Sequence, residues 1–284
     1  MGLKDAPPRV SGAFKFAALL LLTLPYLVGH LIPLSRPASL CFLAAHAAAS
    51  LLLCALAPPI RQPQAYHNFA NQRPLCVCGG VDKRSFGFLP NAADVLSNLP
   101  FLLVGAAGLL DLHSGAALLR SGAEREAWWV LFLGVALVSL GSAYYHYAPS
   151  DATLVWDRLP MTVGFTCLFL ATAHERGVPG ALPGALWPAV LGGGATVFYW
   201  AWVDDLRPYL WVQFYPLLAC PLMMQLLPPA YAGGGAGILR ALAWYAAAKL
   251  LEHWDRLVFE GTRRVVSGHT LKHLAAAAAC GSCG

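Results

Sequence analysis

Apolar residues in this chain are gathered into long blocks, with polar residues confined to the joints between them. Nine blocks approach or reach the length that crosses a bilayer: Phe16 to Leu34, Ala38 to Ala57, Ala92 to Leu110, Ala127 to Tyr147, Leu154 to Ala173, Leu186 to Val203, Pro208 to Leu227, Ile238 to Trp254 and Val265 to Cys280. The pattern predicts an all-α, polytopic membrane protein. The one long polar connection, Pro58 to Asn91, is rich in Pro, Gly, Asn and Arg and sets two early blocks apart from seven later ones. Residues 1–60 are therefore expected to form amino-terminal membrane helices, a hairpin or an anchor, residues 61–91 a polar connecting loop, and residues 92–284 a seven-helix membrane domain. The core is thus preceded by one or two extra transmembrane helices. The first block follows Lys4, Arg9 and Lys15, but no small-residue cleavage site ends it, so it is read as a retained helix.

Composition agrees with the block pattern. Hydrophobic residues make up 58% of the 284 positions and charged residues 12%, with mean hydropathy +0.57, which leaves no room for a large soluble domain. The net charge of +5 is modest and spread over loops, so a nucleic-acid partner is not expected. Lys4, Arg9, Lys15, Arg61, Arg73, Lys83, Arg84, Arg207, Arg256, Arg263 and Arg264 fall on the amino-terminal side of the blocks, and only Arg36, Arg120, Arg125 and Arg176 opposite. The positive-inside rule then places the amino terminus and the Pro58 to Asn91 connection on the cytoplasmic side. An endoplasmic reticulum or Golgi membrane is expected rather than a plastid, because the early blocks lack the Ser- and Arg-rich character of a transit peptide. Of the eight cysteines, Cys41, Cys54, Cys167 and Cys220 lie within apolar blocks, while Cys76, Cys78, Cys280 and Cys283 read as loop and tail thiols. No disulfide framework is expected.

Ionisable side chains inside apolar blocks cost free energy and each needs a reason. His269 and His273 stand one helical turn apart, on one face, and such a pair can give two nitrogen ligands to one ion. Ser142 and His146 close the fourth block with the same spacing, and Asp157 opens the fifth. A helix that ends on one membrane face is followed by one that starts there, so the end of the fourth block and the starts of the fifth and ninth share a level. These five groups can converge. His146, His269 and His273 would hold zinc, Asp157 would accept a proton from water or align it, and Ser142 would donate to the metal-bound water or to the oxyanion of a tetrahedral intermediate. Such a site hydrolyses an amide or ester, and its depth implies a membrane lipid as partner. Elsewhere, Lys249 and Glu252 read as an ion pair on a helix surface, and Asp94 with Asn98 as a polar cap below the loop. The Trp residues mostly fall near block ends, as an aromatic belt would place them.

In this order, Ser142-x-x-x-His146, Trp156-Asp157-x-Leu159-Pro160-Met161 and His269-x-x-x-His273 resemble the alkaline ceramidase family, including the alkaline phytoceramidase-like proteins. Ser97-Asn98-Leu99-Pro100-Phe101 and Ser267-Gly268-His269-Thr270 add to the resemblance, which covers Tyr66 to His273. It implies a seven-helix zinc amidase that cleaves ceramide or phytoceramide to sphingoid base and fatty acid. The three His would be the metal ligands, and Ser142 and Asp157 the catalytic groups. Where that family binds calcium through an acidic cluster, this chain offers Asp82 and Asp94 among asparagines, which counts against calcium. The early helices and the Ala-rich end are further departures. The seven-helix progestin and adiponectin receptors resemble the same superfamily, so a lipid receptor or sensor is the rival expectation, and a hydrolase that remodels lipid anchors is a third.

Overall fold

The computed structural model describes residues 12–67, 85–115, 119, 121–231 and 235–282. They form α1 (Gly12–Leu31), α2 (Arg36–Leu56), a 3-10 turn at Gln64–His67, α3 (Ala92–Leu96), α4 (Leu99–Ser114), α5 (Gly122–Tyr147), α6 (Asp151–Glu175), α7 (Leu186–Val203), α8 (Arg207–Leu226), α9 (Ala236–His253), α10 (Asp255–Gly261) and α11 (Gly268–Gly281). Among the described residues the fold is helical, with a single bridge between Phe86 and Leu89 as its only β feature.

Serine and proline set where the helices begin. Ser121 and Ser267 accept from the backbone N–H of Glu124 and Thr270 at 3.1 and 2.9 Å, and Ser150 forms a reciprocal capping box with Thr153. Each cap satisfies donors that the first turn of a helix leaves without partners. The predicted block Ala92 to Leu110 is interrupted at Ser97 and Asn98. Pro100 has no N–H to give to Leu96, and its ring disfavours helix just before it. The carbonyl of Asp94 is taken up instead by Ser97 Oγ at 3.0 Å and Asn98 Nδ2 at 2.7 Å. Two further differences are local: α1 stops at Leu31, short of the predicted Leu34, and α10 was not expected.

Among the described residues, four helical stretches are long and apolar enough to cross a membrane: Arg36–Leu56, Ala92–Ser114 with its break included, Gly122–Tyr147 and Asp151–Glu175. Large apolar side chains stand outward on several helices, with Leu103 69%, Leu191 70% and Trp202 91% exposed. An apolar exterior of this kind suits lipid and would be a liability in water.

Helix α6 packs against α5, α7 and α8; α4 lies on α5; α11 lies between α9 and α4; and α8 touches α9. The helices α4, α5, α6, α8, α9 and α11 thereby close a ring, and α1 and α2 pack on α8 from outside it. The main core, around Phe101, Leu131, Phe132, Leu170 and Leu186, fills one part of the interior. A second cluster, around Tyr145, Leu154, Val197, Trp200 and Tyr209, lies near the end of α5. Within the ring is a cavity of about 330 Å³, lined at one end by Gln62, Tyr66 and Leu206 and at the other by Ile238 and Cys280.

Candidate metal centre and adjoining cavity

His146 ends α5, and His269 and His273 occupy the first turns of α11. All three are buried, and their candidate ligand atoms lie within 4.8 Å of one another. His146 Nε2 and His269 Nε2 are 3.4 Å apart. Two nitrogens at about 2.0–2.1 Å from one tetrahedral ion would be separated by about 3.3 Å. That edge of the triangle already has the length a metal requires, so the donor set fits an ion.

The surroundings of the triangle hold the rings in place, as groups behind metal ligands characteristically do. Ser97 Oγ lies 2.7 Å from His273 Nδ1, which turns the other ring nitrogen toward the cluster. Thr270 Oγ1 donates to Asp94 Oδ1 at 2.6 Å, tying the first turn of α11 to α3. Asn91 Nδ2 donates to the carbonyl of His146 at 2.8 Å. The carboxylate of Asp255 accepts from the backbone N–H of His269 at 2.7 Å. The break between α3 and α4 thus supplies much of this scaffold. Asp94, read from sequence with Asn98 as a cap below a loop, reaches the helix that carries His269 and His273, while Asn98 bonds to the Asp94 carbonyl at the helix break. The signal was present: Asp94, Ser97 and Thr270 are polar residues inside or beside apolar blocks, which need partners there.

Ser142 is buried one turn before His146, and its side chain lies within hydrogen-bonding reach of Asp157. The contact depends on a close approach of α5 and α6. A Cβ at Gly141 would stand 2.0 Å from the carbonyl oxygen of Trp156, so only glycine lets the helices meet at this level. Gly268 does the same for α11, where a Cβ would stand 2.3 Å from the carbonyl oxygen of Leu251. All five residues singled out from sequence are therefore brought to one place. Ser142, Asp157 and His273 face the cavity, and the other two imidazoles complete the triangle beside His273.

Lys272, which sequence reasoning passed over, also lines this cavity, beside the expected pair of Lys249 and Glu252. Lys272 Nζ lies 2.9 Å from Glu252 Oε1, and Lys249 Nζ lies 2.8 Å from Glu252 Oε2. The Lys249 and Glu252 pair is therefore part of the cavity wall and not only of a helix surface. Lys272 was legible as a cation between two His in an apolar block. Trp200, expected in an interfacial belt, is buried against Arg158, whose guanidinium carbon sits 4.1 Å above its ring.

The segment after α2 closes the same end of the cavity. Leu206 N–H donates to Ile60 at 2.7 Å. Asp205 Oδ1 accepts from Ile60 N–H and Asp204 Oδ1 from Gln62 N–H. His67 is held between the Tyr145 hydroxyl at 2.9 Å and Asp151 at 3.1 Å. Of the other sequence expectations, Cys76, Cys78, Cys283 and Asp82 lie outside the described residues.

The arrangement can hold a metal ion beside a carboxylate and a hydroxyl, at the polar end of a largely apolar cavity. No family model, curated protein or solved structure matches this chain.

Proposed function

We propose that the chain is a zinc-dependent amidohydrolase of the membrane, cleaving the amide of ceramide or phytoceramide to a sphingoid base and a fatty acid. In this reading the helices from α3 to α11 form a seven-span, multi-pass domain with α1 and α2 as an added hairpin, in an endoplasmic reticulum or Golgi membrane. The observation that carries it is the meeting of His146, His269 and His273 next to Ser142 and Asp157 at the head of an apolar cavity. Three imidazoles suit zinc.

Zinc held there supplies Lewis acidity and makes water a nucleophile near neutral pH. Asp157 takes the proton that water loses on attacking the amide carbonyl carbon, and returns a proton to the departing nitrogen. Ser142 donates to Asp157, which fixes the orientation of the carboxylate before attack. The apolar walls, including Leu131, Phe165 and Leu168, exclude bulk water and accept a hydrocarbon chain.

The test is a mass-spectrometric assay of sphingoid base release by purified protein from a mixture of ceramides. Release in the wild type and loss by at least about 10²-fold in Asp157→Asn are expected. Zinc binding with no cleavage of any ceramide would end the hydrolase reading and leave the lipid-sensor alternative.

A further inference from the structure

Five charged side chains line the cavity, three cationic and two anionic: Arg158, Lys249 and Lys272 against Asp157 and Glu252. Two of the cations have an ion-pair partner, because Lys249 and Lys272 share Glu252. Arg158 differs. It is 6% exposed and makes no ion pair among the described residues. Its Nη2 donates to Gln62 Oε1 at 2.7 Å, and its Nη1 is buried with no hydrogen-bond partner among the described residues.

The guanidinium is nonetheless held firmly. It sits over the rings of Trp200 and Tyr209 at 4.1 and 4.8 Å, with Tyr66 at 5.8 Å. Aromatic faces orient a guanidinium and partly stabilise its charge, but they supply no acceptor for its N–H groups. Gln62 is fixed in turn by Asp204 through its backbone N–H. A cation that is oriented, desolvated and without a direct ion pair costs free energy unless an acceptor of negative charge reaches its free N–H groups. The planar edge of Arg is matched in shape by carboxylate and phosphate.

We infer that Arg158, positioned by Gln62 and stacked on Trp200 and Tyr209, binds an oxyanion at the polar end of the lipid that enters the cavity. The cavity then also admits acyl-amide lipids whose head carries a carboxylate or phosphate monoester, and holds them more tightly than the neutral-headed ceramides proposed above. The segment between α2 and α3 becomes part of the specificity site through Gln62 and Tyr66, which gives the early hairpin a function in recognition. The inference rests on the proposed hydrolase only in taking the cavity as the substrate site.

Binding of uncleavable ethers separates the two ideas. Full-length protein in neutral phosphatidylcholine nanodiscs is titrated with hexadecyloxyacetate, hexadecyloxyethyl phosphate and hexadecyloxyethanol, which share a tail and differ in charge. At least one anionic ether is expected to bind about tenfold or more tighter than the alcohol, the ratio of a charge-assisted hydrogen bond. Whichever anion gains more identifies the head group. In Arg158→Met the ratio is expected to fall below about threefold with the alcohol little changed. Gln62→Glu, which keeps Arg158 and hands it an internal carboxylate, is expected to lower the ratio in the same way, and it serves if Arg158→Met does not fold. Equal binding of all three ethers by the wild type overturns the inference. So does a preference that survives both substitutions, since the anion would then be held by the His cluster. Hydrolysis plays no part in this measurement, so a protein that cleaves no ceramide can still show the preference, and one that cleaves ceramide can lack it.

Discussion

Ser97 Oγ stands 2.7 Å from His273 Nδ1, buried where α3 gives way to α4. Hydrogen bonding at one ring nitrogen commits the other to the cluster, because a neutral imidazole has one donor and one acceptor nitrogen. Ser97→Ala should weaken zinc binding by about 10–100-fold while the protein stays folded, the usual result of removing a group behind a metal ligand. Competition with a chromogenic chelator measures this. An unchanged affinity would mean that Ser97 only packs the helix break.

Gly141 sets the distance between α5 and α6. With a Cβ placed 2.0 Å from the Trp156 carbonyl, Gly141→Ala must push the helices apart beside Ser142 and Asp157. A loss on the order of 1–3 kcal/mol is expected, together with a fall in hydrolysis. Gly192→Ala is the control, since a Cβ there meets nothing within 4 Å, and it should be neutral or slightly stabilising. Thermal unfolding of both variants in detergent decides the point.

The corner between α7 and α8 should make stability depend on acid. Burial alone would push the Asp205 carboxyl up, but hydrogen bonds from the Arg207 guanidinium and from the backbone N–H of Arg207 and Ile60 hold it below the usual carboxylate range. A carboxyl depressed on folding contributes its full stabilisation above its unfolded pKa, and that contribution is lost as pH falls through the folded value. Asp205→Asn should therefore cost on the order of 2 kcal/mol at pH 7 and remove part of the decline expected on acidification below about pH 4. Unfolding midpoints compared across that window test it.

Much of this arrangement could be read along the chain. The nine apolar blocks correspond to the longer described helices to within a few residues at most ends, because hydrophobic length is a property of the segment itself. The five site residues stood out because polar groups in apolar blocks are costly, and topology put them at one level. Less visible was whatever depends on partners distant in sequence. Asp94 and Thr270 are 176 positions apart, and no local pattern announces their contact. Arg158 sat next to Asp157 in plain view, but its importance comes from Trp200, Tyr209 and Gln62 closing round it. The segment after α2 read as a polar linker, and only its bonds to Asp204, Asp205 and Asp151 turn it into a wall of the cavity.

The central claim is that three imidazoles from α5 and α11 share one ion, and metal analysis of the purified chain tests it most directly. One zinc per chain, with an absorption-edge spectrum of three nitrogen ligands, is expected in the wild type, and its loss in His146→Ala. A folded wild-type protein that takes up no zinc, or one whose zinc content is the same in His146→Ala, would contradict the account.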